Sequence, residues 1–178
     1  MNSSNITLRK ISESDTPNIV KWRNSEAVKR NLYTQTILTE EQHINYLKTK
    51  VESGLCDQYI IVDFDNNDIG TVFIKNIDAE NKKGEFGMFI GEASGRGKGY
   101  AKKAAFEMLE IAFGKLNLNR VYLTVMYDNI AAVKSYKAAG FVVEGILKED
   151  FFRECDNKYI DIILMGITRN MWFEQNKK

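Results

Sequence analysis

Three glycines at alternate positions, Gly95, Gly97 and Gly99, enclose two cations, Arg96 and Lys98, and an amphipathic run starts directly after them at Tyr100 and Ala101. Glycine lets a ligand approach the backbone closely. The first N–H groups of a helix lack internal partners and lie at the positive end of its dipole, so a glycine turn that opens a helix can seat an anion. Counting excludes two common phosphate motifs. A Walker loop would need glycine in place of Glu92 and Ser or Thr in place of Gly99, and a G-x-G-x-x-G fingerprint would need glycine in place of Tyr100 or Lys102. The run is either a surface turn before a core helix or an anion seat of another type.

Other residues share faces with chemical potential. In NIAAVKSYKAAG, Asn129, Ala132 and Tyr136 recur at i, i+3 and i+7, one side of a helix that Gly140 closes. In GEFGMFI, Glu85, Gly87 and Phe89 alternate with Phe86, Met88 and Ile90. Glu85 is then either a carboxylate whose pKa burial would raise or an edge charge that blunts a sheet. His43 is the one histidine, and Cys56 and Cys155 are far apart, without metal spacing or a disulfide framework.

The elements that must position these groups are legible as periods. ITLRKI, from Ile6 to Ile11, alternates like a half-buried strand, and Asp15 or Thr16 is suited to cap a short helix with Pro17 at its first position. SEAVKRNLY reads as a second short helix. Thr39 and Gln42 form a capping-box pair before a helix with Ile44, Leu47 and Val51 inward and Gly54 at its end. Two strands flank the turn Asp65 to Asp68, KKGEFGMFIG follows, and a helix is predicted from Gly99 to Lys115 over Ala101, Ala104, Ala105, Met108, Ile111 and Ala112. RVYLTVM, FVVEGILKEDFF and KYIDIILMGI are the late strands, the last two joined by the turn Arg153 to Asn157. This order predicts one mixed α/β (α+β) domain over residues 1–178, with a core of about 6–168 and no repeat.

Composition narrows the class. A 44% apolar, 28% charged chain can bury a core, and 25 basic against 24 acidic residues give no excess for nucleic acid. MNSSNITLRK lacks an apolar signal core, no run is long enough to span a membrane, and free cysteines suit a reducing compartment, so a cytoplasmic protein is expected.

Read in register, Arg96-Gly97-Lys98-Gly99-Tyr100-Ala101 resembles the Arg/Gln-x-x-Gly-x-Gly/Ala signature of the GCN5-related N-acetyltransferase (GNAT) superfamily, and Asn129 to Phe141 resembles its Asn-x-x-Ala-x-x-x-Tyr-x-x-x-Gly-Phe block. The resemblance implies a mixed, mostly antiparallel sheet flanked by helices. It implies acetyl-CoA as cosubstrate, with the Arg96 to Ala101 loop on the pyrophosphate. The strand holding Met88, Phe89 and Ile90 would splay from its neighbour along the pantetheine arm, with Asn129, Ala132 and Tyr136 facing that arm. No metal is implied.

Acetyl transfer to an amine makes three demands. An alkylammonium with a pKa of about 10 must lose a proton before it attacks, the oxyanion must be stabilised, and the thiolate gains from a proton as it leaves. Tyr136 suits the last task, or else packs under the sheet; a backbone N–H around Phe89 suits the second. Glu85, through water, suits the first, with His43 as the alternative base or a packed structural residue. Neither cysteine has a histidine nearby in sequence, which favours direct attack in a ternary complex over an acyl-cysteine.

The acceptor pocket falls by elimination to the N-terminal third. Trp22-Arg23-Asn24 followed by Glu41 and His43 is similar to pseudaminic-acid-pathway N-acetyltransferases, which implies a UDP-linked 4-amino sugar, with Trp22 as a stacking face and Arg23 on a phosphate; alternatively Trp22 is core and Arg23 a solvated helix end. The C-terminal half resembles the polyamine and ribosomal-protein acetyltransferase branches, for which Glu40 and Glu41 would supply negative charge. The expected partner is a small-molecule amine, without nucleic acid or membrane. The resemblance also allows a homodimer through the late strands and the MWFE segment. A non-catalytic acetyl-CoA-binding module is the competing class.

Overall fold

The computed structural model describes residues 6–177. The first five residues, part of the stretch read above as lacking a leader, lie outside it. Seven strands form one sheet in the order β1-β2-β3-β4-β5-β7-β6. They are β1 (Thr7–Lys10), β2 (Asp57–Val62), β3 (Asp68–Asp78), β4 (Lys83–Ile90), β5 (Arg120–Met126), β6 (Val142–Arg153) and β7 (Lys158–Thr168). Every neighbouring pair is antiparallel except β4 and β5.

Two layers of helix cover the sheet. On one face lie α4 (Tyr100–Glu110), which continues as a wide π turn over Ile111–Lys115, α5 (Ile130–Ala138) and α6 (Arg169–Gln175). Ala104, Ala105, Met108, Leu109, Ala112 and Phe113 are buried there against Ile61, Val72, Ile74 and Phe86. This stripe is wider than the sequence period suggests. It takes in Leu109 and Phe113 as well, and α6 lays Trp172 over Phe106 and Phe113, at ring separations of 4.6 and 6.0 Å. Trp172 of the MWFE segment is therefore core, not a free dimer contact.

The other face carries α1 (Thr16–Asn24), α2 (Glu26–Lys29) and α3 (Glu40–Tyr46), the last extended by a π turn over Leu47–Val51. The Thr39 to Gln42 capping box forms as expected. The second short helix shrinks to one turn, and Asp15 differs in role. Instead of capping α1 with its side chain, it accepts bonds from Arg9 and from the Ser12 backbone N–H.

Ile19 and Trp22 pack on Ile60 and Val62 of β2, with Phe89 against them. Gly91 permits this fit, because a Cβ there would overlap the Trp22 ring. Overpacking of a buried ring costs about 1–3 kcal/mol. Gly91→Ala is therefore expected to lower the unfolding free energy by that amount, measured by urea denaturation, with the Trp22 fluorescence altered in the folded state.

Candidate active site

β4 and β5 pair at only three positions, Lys83 with Arg120, Gly84 with Val121 and Glu85 with Tyr122. Beyond Glu85 the strands part. The direction of each backbone group follows from alternation along β4. Gly91 N–H donates to Ile69 of β3, while Arg120 N–H donates to the Lys82 carbonyl from the β5 side. Even-numbered residues of β4 therefore turn their backbone toward the gap, and odd-numbered ones toward β3. Met88 and Ile90 thus offer unpaired N–H groups to a ligand. The Phe89 N–H itself is turned to Thr71 of β3, so within the stretch around Phe89 the N–H groups open to the gap are those of Met88 and Ile90.

A cavity of about 730 Å³ passes through the gap. At one end, Gly97 and Gly99 adopt left-handed φ of 74° and 79°, and Gly99 is the N-cap of α4. A Cβ at either position would meet nothing within 4 Å, so these glycines answer a backbone requirement and face open space. The turn and the uncovered first turn of α4 can cradle a pyrophosphate on backbone N–H groups. Gly97, Gly99, Tyr100 and Ala101 line the cavity. Arg96 lines it too, while its guanidinium donates to the Gly91 carbonyl at 3.1 Å and ties the turn to the end of β4. Lys98 lies outside the lining, over the Tyr100 ring.

The wall facing this turn is α5. Asn129 caps it by accepting from Ala132 N–H at 3.3 Å, and Asn129, Ala132 and Tyr136 all line the cavity as their spacing predicts. The start of α5 is anchored from a distance. Arg153, 2% exposed in its side chain, grips Asp128 at 2.7 Å and Asp156 at 2.7 Å. Tyr136 packs edge-on to Phe86 at 5.5 Å. Burial, with a smaller contribution from Tyr33, pushes the Tyr136 phenol well above its ordinary value. It therefore keeps its proton through the neutral and alkaline range.

Glu85, Gly87 and Phe89 face the opposite side of the sheet, toward α1 and α3. Glu85 lines the cavity, held by Lys75 at 3.0 Å and by the Asn76 amide at 2.9 Å. Arg23 and His43 line it as well. The remaining acceptor candidates do structural work. Trp22 is 2% exposed, with its indole N–H donating to Glu92 at 2.6 Å, so its ring offers no stacking face. Asn24 exchanges two hydrogen bonds with the Leu38 backbone. Glu41 and Glu40 are exposed on α3 and do not line the cavity.

Residues 5–142 match the model of a family described as an acetyltransferase (GNAT) domain. The chain belongs to the GNAT acetyltransferase family. This GNAT acetyltransferase is 26% identical over 175 residues to a spermidine N(1)-acetyltransferase of Vibrio cholerae, covering 98% of this chain and 99% of that one. It is 31% identical over 121 residues to the spermidine N(1)-acetyltransferase of Escherichia coli, covering 68% and 63%. A solved structure of the spermidine N-acetyltransferase of V. cholerae, in complex with CoA and spermine, superposes with a TM-score of 0.87 at 26% identity, covering 94% of this chain and 98% of that one. The expected likeness to amino-sugar-nucleotide enzymes finds no support in these relatives, and three of its residues, Trp22, Asn24 and Glu41, do not line the cavity.

Acetyl-CoA is the acetyl donor of this GNAT acetyltransferase, and the open glycine turn, the unpaired edge of β4 and the small Ala132 fit its pyrophosphate and pantetheine arm. Lys75, Gln58, Tyr46 and Tyr33 also line the cavity and escaped the sequence reading. Lys75 alone left a signal, a cation in the apolar run TVFIKNI.

Replacing Gly99 by valine forces a branched residue into the left-handed region, a cost of about 1–2 kcal/mol. The expected result is a modest loss of thermal stability and a larger loss of acetyl-CoA affinity, read by calorimetric titration. A second expectation concerns pH. Burial, only partly offset by Asp15, lowers the His43 pKa in the folded state. The unfolded chain then binds more protons than the folded one below the ordinary imidazole value of about 6.5, so stability present above that pH declines as pH falls through it. The urea midpoint should drop from pH 7.5 to pH 5.5, and by less in His43→Gln.

Proposed function

We propose that the chain transfers acetyl from acetyl-CoA directly to the primary amine of a small molecule in a ternary complex, with Tyr136 as proton donor and Glu85 as proton acceptor through a bridging water. The observation that supports this most is the placement of Tyr136, protonated at neutral pH, in the α5 wall of the cavity where the thiolate would leave. Glu85 lines the acceptor side of the same cavity.

The amine nitrogen attacks the thioester carbon, and its proton passes to the water on Glu85. Charge that develops on the carbonyl oxygen meets the N–H groups of Met88 and Ile90. The C–S bond then breaks, and Tyr136 protonates sulfur before regaining a proton from solvent. An acyl-cysteine route has little support. Burial raises the Cys56 thiol pKa, with its sulfur 3.1 Å from the Tyr46 hydroxyl, and Cys155 sits on the distant turn after β6.

A polyamine acceptor is the reading that the Vibrio and Escherichia relatives favour over an amino-sugar nucleotide. Tyr136→Phe is expected to lower kcat roughly 100-fold, at the lower end of general-acid contributions, with acetyl-CoA affinity unchanged. Release of CoA thiol measures the first and calorimetric titration the second. An unchanged kcat would remove Tyr136 from the mechanism.

A further inference from the structure

We infer that the acceptor amine of this enzyme carries an anionic group, a carboxylate or a phosphate, and that Arg23 and His43 seat it. The inference rests on the acetyl-transfer reading above and sets its acceptor apart from the purely cationic polyamines named for the Vibrio and Escherichia relatives.

Among the described residues, Arg23 stands apart from every other arginine. Arg9 pairs with Asp15 and Asp68, Arg30 with Asp156, Arg120 with Glu144, and Arg153 with Asp128 and Asp156. Arg96 and Arg169 donate to backbone carbonyls. Arg23 has neither an ion pair nor a hydrogen bond there, yet it is half-buried and lines the cavity. A guanidinium drawn out of water needs a partner. Lys21, the other cation in the last turn of α1, pairs with Glu92, while Arg23 has only the C-terminal end of the helix dipole beside it.

Two further polar atoms point to a ligand. His43 is 3% exposed; its Nδ1 lies 2.8 Å from Thr16 Oγ1, and its Nε2 is buried without a partner. With the Thr16 hydroxyl donating to Nδ1 the ring proton sits on Nε2, and with the hydroxyl accepting Nε2 is bare, so the Thr16 contact fits either tautomer. Gln58, also 3% exposed, donates through Nε2 to Thr71 Oγ1, which itself donates to the Tyr59 carbonyl. That chain fixes the amide orientation and leaves Oε1 as an unpartnered acceptor. The acceptor side of the cavity is thus lined by an unpaired cation and by two residues, His43 and Gln58, that each bury a polar atom without a partner. Its carboxylate, Glu85, is already matched by Lys75. A molecule with cationic groups alone would add charge to Arg23 with nothing to balance it. A molecule with one amine and one anionic group would match the wall, its anion on Arg23 and His43 and its amine toward Glu85.

The experiment compares matched acceptors by CoA thiol release: an amino acid with its carboxamide, a hexosamine phosphate with the free hexosamine, and spermidine. Acetyl-CoA binding is measured in parallel. The expected result is a higher kcat/KM for one anionic member than for its neutral counterpart, and the pair that responds identifies carboxylate or phosphate. Arg23→Gln should lower kcat/KM for that acceptor roughly 10- to 100-fold, the range for losing a hydrogen bond to a charged group, mainly through KM. It should leave acetyl-CoA affinity unchanged and lower kcat/KM for the neutral acceptor by a smaller factor, so that the preference for the anionic member shrinks, and Arg23→Lys should recover part of the loss. Equal or better use of spermidine or of the neutral members overturns the inference, as does binding of acetyl-CoA without turnover of any anionic amine. Failure to bind acetyl-CoA would instead overturn the acetyl-transfer reading.

Discussion

β4 and β5 run parallel for three residue pairs and then separate. A sheet normally satisfies its backbone groups on both sides of each strand, and an interior strand with an open edge carries unpaired donors and acceptors. Here the open edge lies where α4, α5 and the helices of the other layer converge. The gap therefore supplies both a passage through the sheet and a row of polar backbone groups within it. The glycine turn at one end and Arg23 at the other belong to opposite layers. They share a cavity because the sheet does not close between them.

The charge on the two sides differs in kind. The side with the glycine turn offers backbone N–H groups at a helix start, which need no counter-ion when a ligand is absent. The acceptor side uses side chains, and there each charge must be balanced. Lys75 and Glu85 balance one another across β3 and β4. Arg23 is left over, in a wall where burial lowers its pKa without removing its charge. Substrate selection in such a pocket follows from which residue lacks a partner more than from which residues are polar.

The parts legible in the sequence were those that local geometry dictates. Glycines at alternate positions before a helix marked a turn open to close approach, and Gly97 and Gly99 take left-handed φ within it. Spacing of i, i+3 and i+7 placed Asn129, Ala132 and Tyr136 on one face, and that face lines the cavity. The Trp22-Arg23-Asn24 run was less transparent. Successive helix residues point in different directions, so Trp22 enters the core, Arg23 the cavity and Asn24 the Leu38 backbone. Residue type alone does not separate these roles. The Lys75–Glu85 pair depends on strand register, and the burial of Trp172 on a helix missed altogether, so both are long-range facts. The turn of Phe89 away from the gap is a matter of hydrogen-bond parity, which side-chain alternation does not report.

Glu92 stands three residues before Gly95 and binds both the Trp22 indole at 2.6 Å and Lys21 at 2.7 Å. This contact joins the loop before the glycine turn to the helix that carries Arg23. If occupancy of the turn tilts α1 even slightly, the affinity for the acceptor changes, and linkage then requires the acceptor to change the affinity of the turn by the same factor. Coupling of that kind is symmetric, so it would tie the two affinities together without setting which substrate binds first.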